Sequence, residues 1–251
     1  MKRRRGTGLA ELLVSLALAA VILAAAMRGL IQHLALHRAR DARARAAEIV
    51  REVHEVLRAE LAHAAGDLRV LGDTAVEVAS LRIVARACHQ DQERLVLPAT
   101  APAWSTPRAG DSLAAMDTLV RREWKTVVAA AATQRASASC PAGGVRLTLG
   151  AALPASAPAG AVPVRVWRTV RFTVYRAGDG AWWLGERSCT TGCGAAQPIA
   201  GPLLPPSQGG LRMRAVPAAD GRTLSVDVSV RAVVATHAAS LASRLPVPAA
   251  P

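Results

Sequence analysis

Aromatic side chains are nearly missing from this chain: they make up 3% of it, and Phe172 and Tyr175 are the sole examples of their kinds. A core of stacked rings is excluded, so the interior has to be assembled mainly from Val, Leu and Ala. Acid is scarce as well, with 18 Asp and Glu against 31 Lys and Arg and a formal charge of +13. No Gly-rich phosphate loop and no Gly-x-Ser-x-Gly nucleophile motif occurs. Of the histidines His33, His37, His54, His63, His89 and His237, four fall on the long N-terminal helix predicted below. An exposed or core-edge place is ordinary there, and no paired metal ligands are expected. The expectation is a non-enzyme without cofactor or metal.

What the chain does have is a patterned start. Met1-Lys2-Arg3-Arg4-Arg5 is a compact positive leader, and from Leu12 to Met27 no charged side chain occurs. At roughly 1.5 Å rise per residue that stretch crosses most of a bilayer's hydrocarbon core as a helix. Glu11 stands at its mouth. A carboxylate left unpaired at membrane depth costs about 2.5 to 3.5 kcal/mol, so Glu11 calls for a partner. A secretory signal peptide shares the positive start and the small residues Ala24-Ala25-Ala26, but its apolar core is normally shorter and free of acid. A plain N-terminal anchor is the other ordinary explanation.

Arg5-Gly6-Thr7-Gly8-Leu9-Ala10-Glu11-Leu12-Leu13-Val14-Ser15-Leu16 resembles the leader of type IV pilins and type II secretion pseudopilins. In that family a Gly precedes the cut and Glu is the fifth mature residue. Gly6 matches the residue before the cut, Thr7 the first mature residue, where Phe or Met is commoner, and Glu11 the acid. Cutting after Gly8 would put Glu11 third instead of fifth. The resemblance covers residues 2 to 30. It implies that a prepilin peptidase cleaves Gly6-Thr7 and methylates the new amine of Thr7. It further implies that Glu11 meets the terminal amine of a neighbouring subunit, neutralising two charges that are each costly in lipid.

With 251 residues and 51% apolar content, the chain is long enough for one head of ordinary size beyond the anchor. Removing Lys2, Arg3, Arg4 and Arg5 leaves 27 basic against 18 acidic residues, so a processed chain stays basic at +9. In His37-Arg38-Ala39-Arg40-Asp41-Ala42-Arg43-Ala44-Arg45 the arginines alternate with alanine, which spreads charge around a helix. No aromatic residues are interleaved for base stacking. A solvated helix beside lipid headgroups is favoured over a nucleic-acid surface.

Ile49, Val53, Val56, Leu57, Leu61 and Ala64 recur at helical spacing, with Arg51, Glu52, Glu55, Arg58 and Glu60 on other faces. The helix is expected to run from Leu9 to Ala65, about 85 Å, and to stop at Gly66 and Asp67. Then the period becomes two. Leu81 to Arg86, Val170 to Tyr175, Trp182 to Leu184, Leu211 to Arg214 and Leu224 to Val230 read as strands, with hairpin turns at Gly178-Asp179-Gly180 and Asp220-Gly221. In Trp182-Trp183 one ring is expected on the core and the other on the opposite face. Stretches 97–107 and 153–163 are read as loops, and Asp111 to Ala132 fits helix or strand equally.

The expected fold class is α+β, a long N-terminal helix packed on an antiparallel sheet, as the pilin resemblance also implies. Its parts are a leader (1–6), a membrane and assembly helix (7–30), an amphipathic continuation (31–66) and a β-rich head (67–251). The element order toward the end, including Gln197-Pro198-Ile199-Ala200-Gly201-Pro202-Leu203, resembles PilW-type minor pilins and J-type minor pseudopilins.

Cys88, Cys140, Cys189 and Cys193 all follow the anchor; in a periplasm they are expected as disulfides, with three pairings open. The short Cys189–Cys193 spacing around Gly192 favours that pair, leaving Cys88 with Cys140. A four-thiolate zinc site is the competing arrangement, and Cys88 and Cys140 do not form a second knuckle. The functional expectation is a minor pilin in a hetero-oligomeric filament. The alternatives are a minor pseudopilin of a type II secretion system and a membrane-anchored, DNA-binding competence pseudopilin. Expected partners are the prepilin peptidase, other pilins or pseudopilins and membrane lipid, with the bacterial inner membrane and periplasm as the location.

Overall fold

The structure is a computed structural model that describes residues 8–64, 68–90, 93–98, 106–116, 124–137, 140–151, 162–190, 192–217 and 224–247. One helix, α1 (Leu9–Ala62), of 54 residues precedes a 13-stranded antiparallel sheet. The strands are β1 (Arg69–Leu71), β2 (Ala75–Arg86), β3 (His89–Gln90), β4 (Arg94–Pro98), β5 (Ser112–Met116), β6 (Trp124–Ser137), β7 (Cys140–Leu149), β8 (Pro163–Arg176), β9 (Trp182–Ser188), β10 (Gln197–Leu203), β11 (Leu211–Pro217), β12 (Leu224–Val234) and β13 (His237–Val247). This is the α+β arrangement the sequence predicts. The helix ends at Ala62, short of the expected Ala65, and Gly66 and Asp67 lie outside the described residues.

Along α1 the first buried residue is Ala42, followed by Ala46, Val50, Val53, Leu57 and Leu61 at spacings of three and four. That stripe lies across β13, β12 and β10. The two small residues at its start let the helix approach the sheet closely. Each buried Val or Leu further on contributes about 1.5 to 3 kcal/mol through removal of apolar surface from water. Val76, Val78, Val170, Phe172, Val226 and Val228 complete this first core from the sheet side, with the single Phe fully buried.

β8 is the spine of the head. β2 runs along one of its edges, while β5 takes the first half of the other edge and β9 the second. Through β5 it connects to β6, β7, β4 and β3, and through β9 to β10, β12 and β11. The β5 side builds a second core around Ile83, Leu95, Leu97, Leu113, Leu147 and Val166, to which the helix contributes nothing. The ambiguous stretch from Asp111 to Ala132 thus holds two strands, β5 and the start of β6. The pairing of β6 with β5 on one side and β7 on the other decides for strand where the local sequence does not.

The ladder between β2 and β8 contains a bulge: Leu81 pairs with Trp167 and Ile83 with Val166, leaving Arg82 as the extra residue. Period two therefore does not hold from Leu81 to Arg86 as one unbroken strand. Val76, Val78 and Ser80 point inward before the bulge, Ile83 after it, and Leu81 lies on the other face from Ile83. Bulges re-aim side chains in this way.

Candidate functional site

Two regions stand out, the bare stretch of α1 and a polar layer inside the head. On the bare stretch Leu12, Leu16, Ile22 and Leu36 are among thirteen large apolar residues on α1 that are 45% to 68% exposed. They surround the helix on every side. A helix apolar all round belongs either inside a protein or inside a membrane, and a monomer in water rarely leaves so large a patch uncovered. By length and composition this helix can cross a membrane.

Glu11 lies in the first turn of α1, where Gly8 accepts the Glu11 N–H at 2.9 Å and the hydroxyl of Ser15 donates to the Glu11 carbonyl at 2.7 Å. Ser15 is thereby satisfied within its own helix, as a polar residue in lipid has to be. The Glu11 carboxylate is exposed and has no partner among the described residues; the next cation along the helix is Arg28. An acid at a helix N-terminus gains from the helix dipole, although that gain is small beside the cost of burying a lone charge. Gly6 and Thr7, the expected cleavage and methylation positions, lie outside the described residues. Arg38, Arg40, Arg43 and Arg45 are exposed and point to different sides of α1. The guanidinium of Arg43 donates to His237 Nδ1 on β13 at 3.3 Å.

Between the two apolar cores, on the same face of the β2–β8 ladder, lies a layer of charged residues. The bulge turns Arg82 toward α1 and β9. Its Nη2 donates to Glu186 Oε1 at 2.6 Å and its Nη1 stands 3.6 Å from Glu60 Oε1. Ser80 donates its hydroxyl to the same Glu60. Arg168 on β8 is bound to Asp111, which is fully buried, and to the Thr106 carbonyl at 2.7 Å. A cavity of about 740 Å3 opens in this layer, lined by Glu60, Arg82, Arg108, Arg168, Glu186 and Gln197 among others. Among the described residues no histidine or cysteine lines it; its polar lining is these charged side chains with Gln197 and Ser188. Its visible work is to tie the last turns of the helix to β2 and β9. A further stitch is His54, whose ring nitrogen meets the Ser243 hydroxyl of β13 at 2.7 Å.

The cysteines pair as Cys88–Cys140, with 5.5 Å between Cα atoms, and Cys189–Cys193, with 4.0 Å. With every sulfur in a disulfide, no thiolate is left for zinc. Glu77 sits beside the Cys189–Cys193 sulfurs, but its carboxylate accepts two bonds from Arg171, at 2.7 and 3.1 Å. Trp182 packs against the first core, while the Trp183 ring on the opposite face lies over Gly201, where a Cβ would come within 2.9 Å of it. The two rings therefore split between faces, as the alternation predicts.

Sequence reasoning missed the polar layer. Ser80, Arg82, Asp111, Arg168 and Glu186 lie in segments that read as ordinary half-exposed strand or loop, and a one-residue bulge has no signature in a period-two pattern. No protein-family model, curated protein sequence or solved structure matches this chain.

Proposed function

We propose that this chain is a minor pilin-like structural subunit of a type IV filament. The observation that carries the proposal is a single helix with two different surfaces: apolar on all sides from Leu12 to Met27, then amphipathic and docked on a β-head from Ala42. A lone acid, Glu11, stands at its start.

In this reading a prepilin peptidase hydrolyses the Gly6-Thr7 bond on the cytoplasmic side of the bacterial inner membrane and methylates the Thr7 amine. The apolar half rests in the membrane with the head in the periplasm, where the two disulfides are stable. On assembly the apolar halves leave lipid and pack side by side. The carboxylate of Glu11 then meets the terminal amine of a neighbour and sets the stagger between subunits.

N-terminal mass analysis of the natural product tests this directly. Methylated Thr7 is the expected terminus; a chain still beginning at Met1, or beginning after Ala26, overturns the reading. Glu11→Ala should insert into the membrane normally yet drop out of filaments, and normal incorporation would defeat the proposed pairing. Whether a pilus subunit or a type II secretion pseudopilin co-purifies with the head identifies which filament it joins.

A further inference from the structure

His33 and His37 sit on the stretch of α1 that the head does not cover, one turn apart and both exposed. Residues four apart on a helix are neighbours, but nearness alone leaves their ring nitrogens undirected. Here the two rings meet at their Nε2 atoms. Their Nε2 atoms are 3.0 Å apart, and the rings stand nearly perpendicular, 78° between planes with 4.3 Å between centroids.

We propose that His33 and His37 form a two-imidazole chelate for a late first-row divalent metal ion, Cu2+ above all. Two nitrogens bound about 2.05 Å from one ion lie about 2.9 Å apart across a right angle and about 3.3 Å apart across a tetrahedral one. The observed 3.0 Å matches the right-angled positions. Such positions belong to square-planar and tetragonal sites with nitrogen and oxygen donors, which suit Cu2+ and Ni2+, and Cu2+ heads the affinity order among divalent ions.

Without metal, a neutral pair of this kind shares a single hydrogen bond, one Nε2 donating and the other accepting. With metal, both rings take the Nδ1–H tautomer and both Nε2 lone pairs bind the ion, so no proton has to leave either ring. The backbone is already helical at both positions, so the bite forms without a conformational cost in the main chain. Asp41 stands one further turn along the helix, the nearest carboxylate in sequence, and water fills the remaining positions. A bound ion would pin the turn between the membrane half and the docked half of α1. The site rests on side-chain geometry and does not depend on the filament reading.

The test uses the full-length protein in detergent micelles, titrated with Cu2+. One equivalent is expected to bind, with nitrogen couplings from two imidazoles in its electron paramagnetic resonance spectrum. His33→Ala and His37→Ala should each weaken binding at least about tenfold, close to 1.4 kcal/mol. His63→Ala, which removes another exposed histidine, at the C-terminal end of α1, should leave it unchanged. Hydrogen exchange across residues 33–41 should slow on adding Cu2+ to the unmutated protein and not to either weakened variant. Affinity in His33→Ala or His37→Ala equal to that of the unmutated protein, or a spectrum with fewer than two imidazole nitrogens, overturns the proposal.

Discussion

Arg168 grips Asp111 at two points, Nε donating to Oδ1 at 2.9 Å and Nη2 to Oδ2 at 2.8 Å. Both side chains are nearly out of water, with Arg168 5% and Asp111 0% exposed. The Arg108 backbone N–H adds a third bond to Asp111, at 2.8 Å. The pair holds the loop before β5 against β8, between the two apolar cores.

Breaking this pair from one side should be costly, because the partner keeps a buried charge with no counter-charge. Asp111→Asn is expected to destabilise the head by about 3 to 5 kcal/mol. Replacing both partners by apolar residues of similar volume should cost clearly less, since neither charge then needs solvation. Urea unfolding of the two variants beside the parent decides it; equal losses would show that geometry, not charge, sets the cost.

The two surfaces of α1 predict opposite responses to the same truncation. Leu57→Ala removes a fully buried side chain from the first core and should cost about 2 to 5 kcal/mol. Leu16→Ala, at a position 67% exposed, should leave the unfolding midpoint of the head unchanged. Thermal melts in micelles measure both.

The disulfides should contribute unequally. Cys88–Cys140 spans 52 positions and Cys189–Cys193 only 4. Loop-closure entropy then gives about 4 kcal/mol for the longer crosslink and about 2 kcal/mol for the shorter. Paired Cys→Ser variants at each bridge, compared by denaturant unfolding, should reproduce that order.

On the outer face of β12 and β13, Arg244 donates to Asp227 at 2.7 and 3.1 Å and holds the Asp227 carboxyl below its ordinary value, with Arg214 adding to the effect. Arg58 does the same for Glu55 on the helix. A carboxyl whose folded value is lowered favours the folded state above its unfolded value and loses that contribution as pH falls through the lower one. Both groups face solvent, so the contribution should be small, present at neutral pH and lost only below about pH 4. Asp227→Asn should therefore cost a little stability at about pH 7 and none at low pH, where the Asp227 carboxyl is protonated, which flattens the acid limb of a stability-against-pH curve. A loss that is greater at low pH than at neutral pH would contradict this sign.

The last strand shows why some of the fold was not legible beforehand. β12 and β13 pair in full register from Leu224–Val247 to Val234–His237, around a turn at Ala235 and Thr236. Ala235 adopts φ +54°, a left-handed conformation that glycine or asparagine normally supplies. Alanine there is a local misfit imposed by the pairing of eleven residues on each side. The hairpin is therefore invisible to turn chemistry, whereas the β8–β9 hairpin announces itself through Gly178-Asp179-Gly180, with Gly180 at φ +80°.

By itself the chain's order of residues determined whatever depends on neighbours a few positions apart: the all-round apolar helix, its change to a one-sided stripe, the alternation of β8 and β12, and the favoured close cysteine pair. Only the tertiary structure decided matters of register and side-chain aim. These include the bulge that swings Arg82 toward Glu60 and Glu186, the assignment of the alanine-rich β6 to strand, and the meeting of Asp111 with Arg168. The convergence of His33 and His37 belongs with them. Local periodicity is written in successive side chains, but a bulge, a buried ion pair or a shared rotamer is selected by contacts between residues far apart in the chain or by how a side chain turns once the backbone is fixed.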